Sequence, residues 1–226
     1  MSLTLFLAMT LVALFLGKTP LRHPFQWLET YYHELSHGIA AMVTGGRIEK
    51  IKLSLNGSGL CYTRGGWRFF ILLAGYTGAS LWGAYLYLTG WHMGNDGSIV
   101  LLAVELGLLA LATLLWVRDP ITLLIMLAMG LLYGLPLYFT DLQPHVAYTL
   151  QFIGIYVMLN AIRAPLHLID GQLVGDGAEL AKSTLILPEG FWIAFWFVFA
   201  LATLGVCATL TIPGMDVALG VLLWFN

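Results

Sequence analysis

Charge is scarce in this chain: Asp, Glu, Lys and Arg make up 10% of it, against about 25% in an average soluble domain. With 59% hydrophobic residues, an ordinary soluble core inside a polar shell is excluded. The formal net charge of -2 and the lack of any Lys/Arg block exclude a nucleic-acid-binding arm. Only two cysteines occur, Cys61 and Cys207, far apart and outside any CxxC spacing. That excludes a disulfide framework and a thiolate metal site, and leaves both as packing residues. The first 17 residues are apolar but lack a basic leader and a small-residue cleavage site, so they read as a retained helix rather than a signal peptide.

What the chain has in abundance is apolar sequence in bilayer-length runs, and a helix needs about 20 residues to cross. Such runs fall roughly at 2–17, 27–44, 67–89, 98–117, 120–140, 146–164 and 190–212. They imply an all-α polytopic membrane protein with about six or seven transmembrane helices, a single domain over residues 1–226 with the lipid bilayer as its solvent. Between the second and third runs, Ile48, Ile51, Leu53 and Leu55 lead into Asn56-Gly57, the signature of a small β-hairpin. In the third run Gly75, Ala79 and Gly83 lie four apart, a stripe that lets helices pack closely.

Basic residues collect in three segments: Arg47, Lys50, Lys52, Arg64 and Arg68 around the hairpin, Arg118 after the fourth run, and Arg163 and Lys182 after the sixth. The intervening "WHMGNDG" and "DLQPH" hold no Lys or Arg, so the basic segments are assigned to the cytoplasm. Lys18 and Arg22 conflict with this if both early runs cross fully, which implies that one of them is partial or re-entrant.

Chemistry is concentrated in "ETYYHELSHGIAAMVTGG", residues 29–46, where His33-Glu34-Leu35-Ser36-His37 reads H-E-x-x-H. On a helix, residues four apart share a face with β-carbons about 5–6 Å apart, so both imidazoles can close on one metal ion. Glu34 is free of ligation and can take a proton from metal-activated water. Ionisable groups are costly within a membrane helix, and a bound cation removes the objection by satisfying the imidazoles and stabilising the neighbouring carboxylate. His33 and His37 lie 11 and 7 residues before Thr44, at the basic end of their helix. That places the site about 10–16 Å from the cytoplasmic end.

The segment "HELSHGIAAMVTGGRIEKIKLSLNGSGLCYTRGG", the following "LLAGYTGASLWG" and the downstream "GDGAELAKSTLILPEGFWIAFW" together resemble the site-2-protease-like family of intramembrane zinc metallopeptidases. The likeness is to a compact bacterial and plant branch and spans most of residues 29–196. It implies a zinc-dependent endopeptidase acting on membrane-embedded protein substrates, in the cell membrane of a prokaryote. It also implies an aspartate from a later D-G motif as the third zinc ligand, two histidines leaving a catalytic zinc one protein ligand short.

Two aspartates qualify. Asp170, in "NAIRAPLHLIDG", has Asn160 and Pro165 upstream, while Asp176, in "GDGAELA", better matches the compact branch. His167 is a weaker third candidate. The resemblance further suggests that Asn160 hydrogen-bonds the carbonyl oxygen as it gains charge. Glu29, four residues before His33, is placed to orient that imidazole, and Glu105 is an isolated intramembrane carboxylate with a structural or proton-path role. Tyr31, Tyr32 and His23 lie near enough in sequence to approach the site. The hairpin offers a strand edge to an extended substrate. A pseudoprotease scaffold or a transporter that binds metal without proteolysis is the competing reading.

Overall fold

The computed structural model describes residues 1–168 and 175–215, so Asp170 lies outside the described residues. All seven apolar runs are helical. They form α1 (Leu3–Leu16), α2 (His23–Val43), α3 (Arg68–Asp96), α4 (Val100–Trp116), α5 (Pro120–Tyr138), α6 (Gln143–Arg163) and, past a shorter α7 (Asp176–Thr184), α8 (Glu189–Thr211). The architecture is all-α and polytopic, with one antiparallel hairpin of β1 (Arg47–Leu53) and β2 (Gly59–Arg64). Among the described residues, single helices long and apolar enough to cross are Arg68–Asp96, Pro120–Tyr138, the continuous stretch Thr140–Leu168, and Glu189–Thr211. At 17 residues, α4 is only about 26 Å long, less than the roughly 30 Å of hydrocarbon.

The first two runs form one bent pair, turning by 112° between Leu16 and Pro20, so the described residues hold up to five candidate spans. Pro20, which has no N–H, and extended Thr19 break the helical ladder there. Arg163 packs its guanidinium against Gly17, where a methyl group would come within 2.8 Å of it. Lys18 and Arg22 sit at this elbow, which accounts for their conflict with two full crossings.

The centre of the bundle is the contact between α3 and α6, where two backbones touch. A methyl at Gly83 would meet the carbonyl oxygen of Gly154 at 3.1 Å, and one at Gly154 would meet the Gly83 carbonyl at 2.6 Å. With little hydrophobic drive between helices in lipid, such close approach is the main source of association. The two-helix core carries α2, and a cluster of Leu72, Leu180, Trp192 and Trp196 joins α3 to α7 and α8.

The hairpin folds back on α2. Thr30 donates its hydroxyl to Gly57 O (2.7 Å), and Ile48, Ile51 and Leu53 are buried while their strand neighbours are more exposed. The outer edge of β1 is occupied: Ile51 bridges Val117 in parallel, and Leu53 N–H donates to Thr122 Oγ1 at 2.8 Å. On β2, Cys61 N–H points to α2. Strand addition of the kind expected from the sequence would therefore have to use positions other than Ile51, Leu53 and Cys61.

Candidate metal centre

Helix α2 is polar only where it faces the bundle: Glu29, Glu34, Ser36 and His37 are all buried. The 3.6-residue period puts His33 and His37 one turn apart, and their Nε2 atoms lie 3.0 Å from each other. The third donor comes from the first turn of α7. Asp176 Oδ2 stands 3.3 Å from His33 Nε2 and 3.3 Å from His37 Nε2. Bonds of about 2.0–2.1 Å at a tetrahedral angle hold donors roughly 3.3 Å apart, so this triangle has the dimensions of three corners of a zinc site. The side chains are 15%, 11% and 18% exposed, leaving room for one further ligand to enter. Among the described residues these three are the group of His, Cys, Asp or Glu that can hold a metal ion.

The surroundings fix the ligands. His37 Nδ1–H donates to Ile71 O of α3 at 2.6 Å, which leaves the Nε2 lone pair facing the centre. Gly75, one turn on, lets the α3 backbone lie against both rings: a methyl there would come within 2.6 Å of Cε1 of His33 and of His37. The sequence marked Gly75 as part of a packing stripe and of the "LLAGYTGASLWG" resemblance, and its neighbours are the imidazoles. Tyr76, quoted only within the same "LLAGYTGASLWG" segment, meets the His33 ring edge-on with centroids 4.6 Å apart.

Glu34 accepts Cys61 N–H on Oε2 at 2.7 Å, which orients the carboxylate from the hairpin and leaves its other oxygen for a proton. The Cys61 thiol is pushed up to about 12 by burial and by the charge of Glu34, and its sulfur is not among the His33, His37 and Asp176 group.

Of the other sequence candidates, Glu29 accepts Asn160 Nδ2–H on Oε2 at 2.8 Å, so that amide is directed to Glu29. His167 lies in the turn Ala164–Leu168 and is not part of the triangle. Tyr32 faces away: its hydroxyl bonds Glu105 Oε1 and Tyr133 Oη, each at 2.7 Å, tying α2 to α4 and α5. Glu105 is thus part of a buried hydrogen-bonded cluster.

Helix α7 is held from outside by charge. Glu179, one turn past Asp176, pairs with Lys182 at 2.9 Å and with Arg68 at the start of α3. Those two cations hold its carboxyl below the usual range. The contribution is full above the ordinary carboxylate pKa and is lost as pH falls through the lowered value. Exposed ion pairs are weak, so Arg68→Ala should loosen metal retention by at most about fivefold, read as the zinc off-rate against a chelator. A larger loss would make the pair a principal support of the third donor.

A family model described as Peptidase M50B-like matches residues 6–207 of the chain. No curated protein and no solved structure matches it.

Proposed function

Because the chain belongs to the Peptidase M50B-like family, and is thereby a membrane metallopeptidase, we propose that it is a zinc-dependent endopeptidase that hydrolyses peptide bonds of membrane-embedded protein segments. The observation carrying this is the triangle of His33, His37 and Asp176 donor atoms, 3.0 and twice 3.3 Å on its sides, beside the buried carboxylate of Glu34. Two imidazoles and a carboxylate are a donor set that suits zinc and leaves a catalytic position open. Bound there, zinc supplies Lewis acidity, polarising a peptide carbonyl and making water a stronger acid.

The chain's own groups do the rest. His33 and His37 hold the site from one face of α2, and the Ile71 carbonyl keeps His37 in the tautomer that ligation requires. Glu34 takes the proton of the attacking water and returns it to the leaving nitrogen, its orientation set by Cys61 N–H. The packed helices bury most of the centre, its three side chains being 15%, 11% and 18% exposed. The basic residues of the hairpin support placing this centre toward the cytoplasmic side of a cell membrane. A transport pathway would call for titratable groups on several spans, whereas the ligand-like groups here gather at one centre.

Purified protein should hold about one zinc per chain and lose it on His37→Ala. Asp176→Ala should release most of the zinc, and Asp170→Ala should keep it, measured by elemental analysis of each variant. Full zinc in Asp176→Ala would remove Asp176 as the third ligand. In proteoliposomes, cleavage of a model transmembrane peptide should stop with a chelator and return with zinc. Cleavage indifferent to chelation would rule out the metallopeptidase reading.

A further inference from the structure

Adding water to a peptide bond puts negative charge on the carbonyl oxygen, and a fixed hydrogen-bond donor beside that oxygen lowers the barrier. The amide of Asn160 is drawn to Glu29, with its Oδ1 3.5 Å from Arg163 Nη2. Tyr76 is better placed. It directly follows Gly75, where the α3 backbone lies against both imidazoles. Its ring meets His33 edge-on and packs against Trp196 of α8 with centroids 4.8 Å apart. Trp196 is itself pinned by its indole N–H, which donates to Leu73 O at 3.2 Å. Three helices therefore fix the phenol on the α8 side of the centre. Half-buried there, the phenol ring borders the imidazole of a proposed donor residue.

We propose that Tyr76 is a catalytic residue whose hydroxyl donates a hydrogen bond to the carbonyl oxygen of the scissile peptide as charge develops there. The assignment rests on the peptidase reading above. A phenol is protonated at neutral pH and is a donor without giving up its proton. In the reaction the water oxygen bonds the carbonyl carbon while one water proton passes to Glu34. The carbon–nitrogen bond then breaks, and Glu34 hands that proton to the departing nitrogen. Tyr76 keeps its own proton throughout, and nothing beyond water and peptide is consumed. Because donation matters only once charge has built up on the oxygen, its loss is read in turnover rather than in substrate binding.

The test is Tyr76→Phe in the full chain, which retains the ring packed between His33 and Trp196 and removes only the hydroxyl. Three quantities are measured in zinc-loaded protein: zinc content, turnover of a transmembrane peptide, and affinity for a peptidyl phosphinate that mimics the charged tetrahedral carbon. Expected are unchanged zinc, a kcat lower by about 10²–10³-fold with little change in KM, and phosphinate binding weakened by at least about tenfold. Wild-type turnover in the variant overturns the proposal. So does loss of zinc with normal turnover per bound ion, which would make the hydroxyl an orienting group for the ligands. The phosphinate titration separates this proposal from the peptidase reading. If the wild type cleaves nothing, that reading fails, and equal phosphinate affinity of wild type and variant, including no binding by either, overturns the role of Tyr76 as well.

Discussion

Replacing Glu34 by Gln should abolish cleavage of a transmembrane peptide while the protein keeps its zinc. The amide has the size of the carboxylate and can still meet Cys61 N–H through its oxygen, so the contact between α2 and β2 at 2.7 Å is retained. What disappears is a group able to accept and return a proton, a contribution of about 10²–10⁴-fold in rate. Zinc should stay because the proposed donor atoms belong to His33, His37 and Asp176, the group that could hold a metal ion. The comparison needs equal zinc content, reconstitution in the same lipid, and initial rates from a labelled peptide. Comparable rates in wild type and variant would show that Glu34 is not the base, and a variant without zinc would show that the carboxylate helps hold the ion.

Gly75→Ala should be as damaging through a different route. The added methyl would sit 2.6 Å from Cε1 of both imidazoles and 2.7 Å from His37 Nε2, closer than real side-chain carbons approach. Either the rings rotate off the centre or α3 withdraws from α2. Withdrawal would also stretch the bond from His37 Nδ1 to Ile71 O. Overpacking of this kind costs about 1–3 kcal/mol where a core can relax, and a ligand triangle has little room to relax without losing its dimensions. Zinc should be lost from a protein that still inserts and folds. Gly107→Ala, at a position where a methyl meets nothing within 4 Å, is the control for helix propensity alone. Normal zinc content in Gly75→Ala would mean that the rings tolerate displacement and that the close approach is incidental.

The parts of this protein that are written in local sequence were readable from it. H-E-x-x-H needs only helical geometry to bring His33 and His37 together, and the two Nε2 atoms are 3.0 Å apart. The hairpin follows from alternation around Asn56-Gly57, and pairs from Arg47↔Arg64 to Leu53↔Gly59. Even the elbow left a trace, since Lys18 and Arg22 fit no pair of full crossings. What local pattern cannot carry is the identity of a neighbour. Gly75 and Gly83 belong to one stripe, yet Gly83 touches the backbone of α6 and Gly75 touches the imidazoles, a difference made by how α2 crosses α3. Asp170 and Asp176 stood level for the same reason, because distance along the chain does not say which carboxylate comes to the histidines. Nothing in the hairpin's own residues announces that Val117 and Thr122 lie beside Ile51 and Leu53 of β1. Tyr76 lay inside "LLAGYTGASLWG", a segment that carried the resemblance, but nothing local set its part at the site apart from that of the other aromatics in a membrane helix.

The three donors do not leave the ribosome together. His33 and His37 are made early, on the second helix, whereas Asp176 follows only after α3 to α6 have been synthesised. On this ligand set, a growing chain holds two imidazoles and no carboxylate partner while most of its helices enter the membrane. The centre is completed late, when α7 closes against α3, so a half-inserted chain is not yet a peptidase able to cut its neighbours.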